Sequence, residues 1–468
     1  GGVGNTITSS FTIVGPSLQD DGRFGGLRYG LQDESARLNL NILPILEGDN
    51  TLVAAAALTT GDDVDVLAEP TGETLAETLL MALPSMTIDT AQSIMDWIDE
   101  DDEPRTYGAE ADYYEALATP YSPPNGPIRS VEDLLLVRGV TPSLLFGADT
   151  NRNGVMDADE QVRTASTIET SGALGWASYM TVWSQESSKT RAGDPRVNAN
   201  QEDLETLYDE LLQTNLGELY ASFIIAYRMY GEPPASLTGT DGLAQDGAQN
   251  QNAGNSGDVS EGGIWTADVF EQLDLSAGAG VELDQILDLF DTTVTVPTGR
   301  GQVRYQSPFV SDPLAMEVFM VDLMDSITTS DSPVMPGRVN INECPLEILS
   351  AMPTLSEEGL AAILENRDPS NTDPIRSFGT WPLAEGYLTL SEMRTLVPLF
   401  CGSGSVYRAQ VIGFMNESGI NHRSEVILDA TTVNPRVVYL RDLSHLGRGF
   451  DRSVLGNRMM AAAVGPSN

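Results

Sequence analysis

The stretch with the clearest chemistry is Asp149-Thr150-Asn151-Arg152-Asn153-Gly154-Val155-Met156-Asp157-Ala158-Asp159-Glu160. Counted as a twelve-residue loop, it puts oxygen-bearing side chains at positions one, three, five and nine: Asp149, Asn151, Asn153 and Asp157. Gly154 falls at the sharp bend. Val155 follows it and would offer a backbone carbonyl, and Glu160 closes the loop as a two-oxygen ligand. Calcium takes about six to eight hard oxygens, and a loop of this spacing can wrap them around one point. Two of the side chains are neutral Asn, so the loop suits a structural calcium ion in a calcium-rich, extracytoplasmic space better than a tight cytosolic buffer. An acidic surface loop is the plainer alternative, but every ligand position is filled.

A second acidic run, Asp96-Trp97-Ile98-Asp99-Glu100-Asp101-Asp102-Glu103-Pro104-Arg105, sits at a helix end, where carboxylates oppose the helix dipole. A cation or Arg105 would offset that cost, and a solvated face is the simpler reading. Asp99 with Glu103 would be the pair for a calcium-dependent hydrolase. Other catalytic signals are missing. The two histidines, His422 and His445, have no evident partners, and there is no nucleophile elbow, zinc motif, phosphate-binding loop or Cys-x-x-Cys. The chain therefore reads as a non-enzyme.

Composition narrows the partners. The 68 Asp and Glu against 25 Lys and Arg give a net charge of −43, which repels phosphate and attracts cations. This argues against nucleic acid and mildly for bound metal. With 41 % hydrophobic residues in a chain of 468, most of it should fold, as two to four domains. Cys344 and Cys401 bracket one module and are either free thiols or a single bridge. No run approaches the roughly 18 to 20 apolar residues of a membrane span. The sequence starts at Gly1-Gly2 without an initiator Met, which leaves room for a preceding signal, anchor or cloning boundary.

The elements that must position these residues announce themselves through a repeated phrase. Arg37-Leu38-Asn39-Leu40-Asn41, Arg196-Val197-Asn198-Ala199-Asn200 and Arg338-Val339-Asn340-Ile341-Asn342 share one pattern. It suits a short extended segment whose closing Asn caps a following helix. Helical stripes come after each copy: Leu75 to Leu83 and Thr90 to Ile98, Gln201 to Leu212 and Gly217 to Tyr230, Leu346 to Ala351 and Glu357 to Asn366. Val131 to Val137 and Ser391 to Phe400 are further helices. Residues 235–263 are polar and Gly-rich and read as a flexible loop. Thr6 to Val14, Gly26 to Leu31 and Arg37 to Asn41 near one end, and Val406 to Phe414, Glu425 to Ala430 and Arg436 to Leu440 near the other, read as strands. One sheet built from both ends, with the middle inserted, follows.

The third unit is similar to the DNA-binding helix-hairpin-helix of competence proteins. Its hairpin, Pro353-Thr354-Leu355-Ser356-Glu357-Glu358, lacks the paired glycines that let amides approach phosphate, as does Pro84-Ser85-Met86-Thr87-Ile88-Asp89 in the first unit. A DNA-uptake protein is therefore the alternative rather than the leading reading.

A more specific resemblance covers most of the chain, from about 26 to 440. Asp96-Trp97-Ile98-Asp99 with Asp102-Glu103-Pro104-Arg105, then Gly108-Ala109-Glu110, Tyr113-Tyr114, Pro120-Tyr121, Asn125-Gly126-Pro127 and Leu134 to Val140 resemble the type II secretion system protein K family of minor pseudopilins. Asp33-Glu34-Ser35 and the Arg338 to Asn342 segment also match. The resemblance implies an α+β fold: a pilin-like antiparallel sheet interrupted by a large α-helical insertion with helix-hairpin-helix-like repeats. Expected bounds are 1–45 and 403–468 for the sheet domain and 46–402 for the insertion, with repeat units at about 37–145, 196–232 and 338–402. It further implies a capping and initiating role at the tip of the periplasmic pseudopilus, with minor pseudopilins I and J as partners. Anchoring in the inner membrane would come from an N-terminal helix outside this chain. The calcium loop, Asp149, Asn151, Asn153, Val155, Asp157 and Glu160, is not part of the resemblance.

Overall fold

A computed structural model describes residues 9–48, 74–164, 173–231, 259–299, 301–369, 371–415, 420–451 and 453–455. The largest sheet draws its strands from the two ends of the chain: β1 (Ser9–Leu18) and β2 (Phe24–Tyr29), then β3 (Val406–Met415), β4 (Asn421–Asp429) and β5 (Arg436–Asp442). They lie in the order β5-β4-β3-β1-β2 with antiparallel neighbours throughout. β1 meets β3 from Ser9 opposite Met415 to Val14 opposite Gln410. Alternation puts Val14 and Ile412 on one face, which Phe450 and Leu455 cover. Gln32–Asp33 adds a short pairing to β3. The first repeated phrase, expected to extend this sheet, leaves it. Asp33 caps the 3-10 turn Glu34–Ala36 by accepting from the Ser35 amide, and the chain turns away.

All three phrases instead build the same small device. Each forms a two-residue parallel ladder with a later strand: Leu38–Asn39 with Met180–Thr181, Val197–Asn198 with Ile327–Thr328, and Val339–Asn340 with Phe400–Cys401. The partners of the first two lie well beyond residues 145 and 232. In each, the middle Asn folds its Oδ1 onto the amide of the closing Asn, at 3.0, 2.9 and 2.9 Å. The closing Asn was expected to cap a helix. With the middle Asn already serving that turn, it reaches across to a distant backbone. Asn41 gives to the Ile128 carbonyl at 3.0 Å and takes its amide at 2.9 Å. Asn200 makes the same two-way bond with Leu283, at 2.9 Å each way. Asn342 gives to the Arg376 and Gly402 carbonyls, both at 2.8 Å. The clamped segments of the first and third units carry one tetrapeptide, Pro127-Ile128-Arg129-Ser130 and Pro374-Ile375-Arg376-Ser377.

A helix pair follows each phrase: α1 (Leu75–Met81) and α2 (Ile88–Ile98), α3 (Leu204–Leu212) and α4 (Glu218–Tyr230), α5 (Leu346–Leu349) and α6 (Glu357–Asn366). After Pro84 and Pro353 the chain turns through left-handed Ser85 and Thr354, each at φ 59°. Val131–Leu136 is a 3-10 helix rather than an α-helix.

The middle is not helical alone. A Thr293–Thr298 and Gly301–Gln306 hairpin pairs in parallel with Val259–Ile264. That last strand corrects the expected loop 235–263 at its C-terminal end, while residues 235–258 lie outside the described residues. Polar composition did not forbid it, because a backbone ladder needs no apolar side chains. Gly262 is required there, since a Cβ would come within 2.4 Å of the Tyr305 ring. A further helix, Pro313–Ser326, packs Met316, Phe319, Met320 and Leu323 into the core. Cys344 and Cys401 are both buried and both free thiols.

Beneath the sheet lies a buried charged knot. Glu34, 0 % exposed, holds Arg408 of β3 and the Thr181 hydroxyl, with Arg37 at 3.8 Å. Burial alone would push Glu34 up, but Arg408, Arg37 and Thr181 hold it below the usual carboxylate range. Its neighbour Asp33 accepts from the Ser35 amide at 2.8 Å, the Gly404 amide at 2.6 Å and Asn340 Nδ2 at 2.8 Å. Burial wins there and raises Asp33 to about 6. A carboxyl raised in the folded state adds stability that is complete below its unfolded value and fades as pH climbs through the folded one. Asp33→Asn should therefore lower stability overall yet remove on the order of 3 kcal/mol of its decline between pH 4 and 7. Urea melts of both proteins across that range check this; parallel pH profiles would contradict it.

Candidate metal centre

The loop at 149–160 is held by its own carboxylates. Asp149, 5 % exposed, accepts from the amides of Asn153 at 3.0 Å and Gly154 at 2.8 Å. Gly154 takes φ 77°, as the bend requires, and its Cα lies against Pro16, leaving no room for a Cβ. Glu160 lies in the first turn of the helix Ala158–Thr164 and folds back into the loop. Its Oε1 accepts from the Thr150 amide at 2.9 Å, the Thr150 hydroxyl at 2.8 Å and the Asn151 amide at 3.3 Å, and its Oε2 from the Asp157 amide at 3.2 Å. Asp157 accepts from the side-chain amides of Asn151 at 2.6 Å and Asn153 at 3.1 Å. Asn153 Oδ1 accepts from the Val155 amide at 2.7 Å. Burial, with Glu160 nearby, pushes Asp149 up to about 7 against the pull of its two amides. Met156 packs toward the core.

The six expected ligand positions thus share one compact loop, and the donor set suits a hard cation. Asn151 Oδ1 is buried without a hydrogen-bond partner, as an oxygen reserved for an ion would be. The carboxylates of Asp149, Asp157 and Glu160 do not, however, come together within 4.8 Å; among the described residues that closeness belongs to Asp96, Asp99 and Glu110. Pairing Asp99 with Glu103 is therefore corrected. Glu103 is exposed, whereas the 99–110 segment turns back over α2 and delivers Glu110.

Sequence spacing did not reveal Arg423, which anchors the loop to the sheet. Fully buried on β4, it donates to the carbonyls of Asn151 at 2.8 Å and Arg152 at 2.7 Å, and to Gln410 Oε1 at 2.7 Å. Gln410 on β3 also donates to the Arg152 carbonyl, at 2.7 Å. Burial lowers Arg423 to about 10, with Asp149 the main opposing charge. Asn153 Nδ2 adds a bond to the Gly449 carbonyl at 2.5 Å. Nothing in a 270-residue separation hints at these contacts.

Comparison with known proteins bears on the neighbouring region. Residues 36–146 match the family model described as type II secretion system (T2SS), protein K. The residues that carry the resemblance, Asp96 to Val140, fall within that match. No curated protein matches the chain. The crystal structure of the GspK-GspI-GspJ complex from the enterotoxigenic Escherichia coli Type 2 Secretion System is similar at 12 % identity, over 88 % of this chain and 78 % of that one, with a TM-score of 0.27. Likeness that low transfers neither fold nor function.

Removing Arg423 should free the loop without touching its carboxylates. Arg423→Ala is expected to cost about 2–4 kcal/mol and to make the 149–160 segment the first site of limited proteolysis. Unchanged cleavage and stability would mean that the anchor is idle.

Proposed function

We propose that this chain is a minor pseudopilin of the type II secretion protein K family, acting as a structural component of the secretion machinery and not as an enzyme. The match over residues 36–146 carries the reading. In it, segments 1–45 and 403–468 form a pilin-like sheet domain, 46–402 is the insertion, and the bulky insertion sits at the tip of the periplasmic pseudopilus. Head-to-tail filaments grow by repeating one contact, so a protomer with a large body on one end caps that end and starts the filament below it. The partners would be the minor pseudopilins I and J. No helix among the described residues is long and apolar enough to cross a membrane. Anchoring of the protein in the inner membrane by an N-terminal helix is part of this reading.

The DNA-uptake alternative finds little support in the hairpins. In α2 and α6 the protein's own cap takes one of the free amides, Thr87 the Thr90 amide and Ser356 the Gly359 amide, which leaves fewer to meet a phosphate. The net charge of −43 works in the same direction. The chain should co-purify with partner pseudopilins I and J when co-expressed, and deleting its gene should stop pseudopilus assembly and secretion. Secretion that continues undisturbed overturns the proposal, and a gel shift on DNA at low salt would favour the alternative.

The 149–160 loop is proposed to hold a structural calcium ion through Asp149, Asn151, Asn153, the Val155 carbonyl, Asp157 and Glu160. Binding would exchange the amide contacts of Asp149 and Glu160 for the ion. Calorimetric titration of the metal-stripped chain should show calcium binding, with one equivalent lost in Glu160→Gln. A Glu160→Gln chain that binds as much calcium as the wild type would remove the loop from consideration.

A further inference from the structure

The second and third units meet at a cleft whose polar groups are not all satisfied. Its inner recess, about 210 Å³, is lined by Ile327 and Phe400, the strand residues that pair with the second and third phrases. Leu287 and Phe378 add further apolar wall. An outer cavity of about 530 Å³ adjoins the recess, and Glu186, Arg196, Ser377 and Phe378 line both.

Arg196 stands at this junction. Its side chain is 11 % exposed, yet among the described residues its guanidinium makes no hydrogen bond. Nε is buried without a partner, and the Glu186 carboxylate stays 3.9 Å from Nη1. Glu186 is held instead by Arg338, whose Nε donates to it at 3.0 Å. Burial pulls Arg196 below the ordinary guanidinium value, against the opposing charge of Glu186. Two further groups that line the recess are unmet. Thr380 is 0 % exposed with its hydroxyl unpartnered. Gln285 keeps Oε1 buried without a donor, while its Nε2 serves the Arg394 carbonyl at 3.1 Å. The outer cavity carries Lys189, the single lysine of the chain. Half-buried, it forms no ion pair among the described residues, in a molecule with 68 Asp and Glu.

Buried polar groups without partners are unfavourable, so their pattern describes the group that would fill them. Two donors, the Arg196 guanidinium and the Thr380 hydroxyl, await oxygens. One acceptor, Gln285 Oε1, awaits an N–H. A terminal carboxylate and the peptide N–H of its own residue supply both, and the apolar recess takes that residue's side chain. We propose that this cleft binds the C-terminal residue of a partner polypeptide, apolar and carrying its free carboxylate, with the preceding chain leaving past Lys189. A dianion such as phosphate fits poorly, because Glu186 and the exposed Asp284 also line the recess and the whole chain carries −43. A fatty acid would bring a carboxylate but leave Gln285 Oε1 unmet.

The probe is a dye-labelled peptide of glycine and serine ending in leucine, added to the full chain and followed by fluorescence anisotropy. The free-acid peptide should bind, and its C-terminal amide and a version ending in serine should each bind about ten- to a hundredfold more weakly. Arg196→Gln should weaken the free-acid peptide by a similar factor and leave the amide unchanged. Thr380→Val, which keeps the side-chain shape and removes the hydroxyl, is the second variant should that chain fail to fold, with circular dichroism as the check. A free-acid peptide that does not bind, or binds no better than its amide, overturns the proposal. So does peptide binding that survives in a folded Arg196→Gln or Thr380→Val chain. Displacement of the peptide by equal concentrations of decanoate or inorganic phosphate would mean a general anion site and would overturn it as well.

Discussion

The knot at Asp33 and Glu34 is the contact on which the rest depends. Two adjacent carboxylates, buried where the chain leaves the sheet, face three parts of the fold. Glu34 takes Arg408 from β3 and the Thr181 hydroxyl from the strand that pairs with the first phrase. Asp33 takes Asn340 from the third phrase and the Gly404 amide just before β3. A buried carboxylate is tolerated only when its lone pairs are filled, and here, beside the local Ser35 amide and Arg37, they are filled by groups more than 140 residues away. The knot therefore acts as a registration point: the sheet and the first and third units must all arrive before it is satisfied, and none can shift without leaving a charge uncompensated.

The three Arg-x-Asn-x-Asn phrases solve a related problem in the polar interior. A two-residue ladder is too short to hold a strand by itself. The Asn pair supplies what the ladder lacks: one side chain secures the turn, and the next binds a remote backbone segment at both its donor and its acceptor. The phrase arginines join in, with Arg196 and Arg338 both meeting Glu186, at 3.9 and 3.0 Å. Repetition of a polar clamp, more than of an apolar stripe, makes these units alike.

Much of this was legible in the sequence, and the gaps have physical causes. Strand alternation at Thr6 to Val14 and after Val406 foretold the sheet, and apolar spacing located the helix pairs to within a few residues. The helix Pro313–Ser326 escaped because it is apolar almost all round, with Leu314 and Val318 exposed opposite Phe319 and Leu323, so no single stripe stands out. The hairpin after Thr293 does carry its signal in Val294 and Val296, and the expectation of a helical middle runs against it. At the candidate centres, a local motif declares its ligands in order, as at 149–160. Arg423 and Glu110 are brought in by tertiary folding, and spacing says nothing about such partners. The closing Asn of each phrase is the instructive error: its chemistry as a hydrogen-bonding side chain was right, but a local cap and a remote clamp look the same in sequence.

The position of β1 has a consequence for how the molecule comes to be. It is an inner strand, with β2 on one side and β3 on the other, and Ser9 lies opposite Met415. During synthesis, β1 waits with one edge unpaired until almost the entire chain has emerged. A hairpin of β1 and β2 is marginal alone, and an open edge invites pairing with other chains. If the intervening units fold first, the two ends are delivered close together and closing the sheet costs little further chain entropy. Assembly order is thus written into the strand order, and the sheet becomes the last part of the molecule to form and a sensor that everything between its halves has folded.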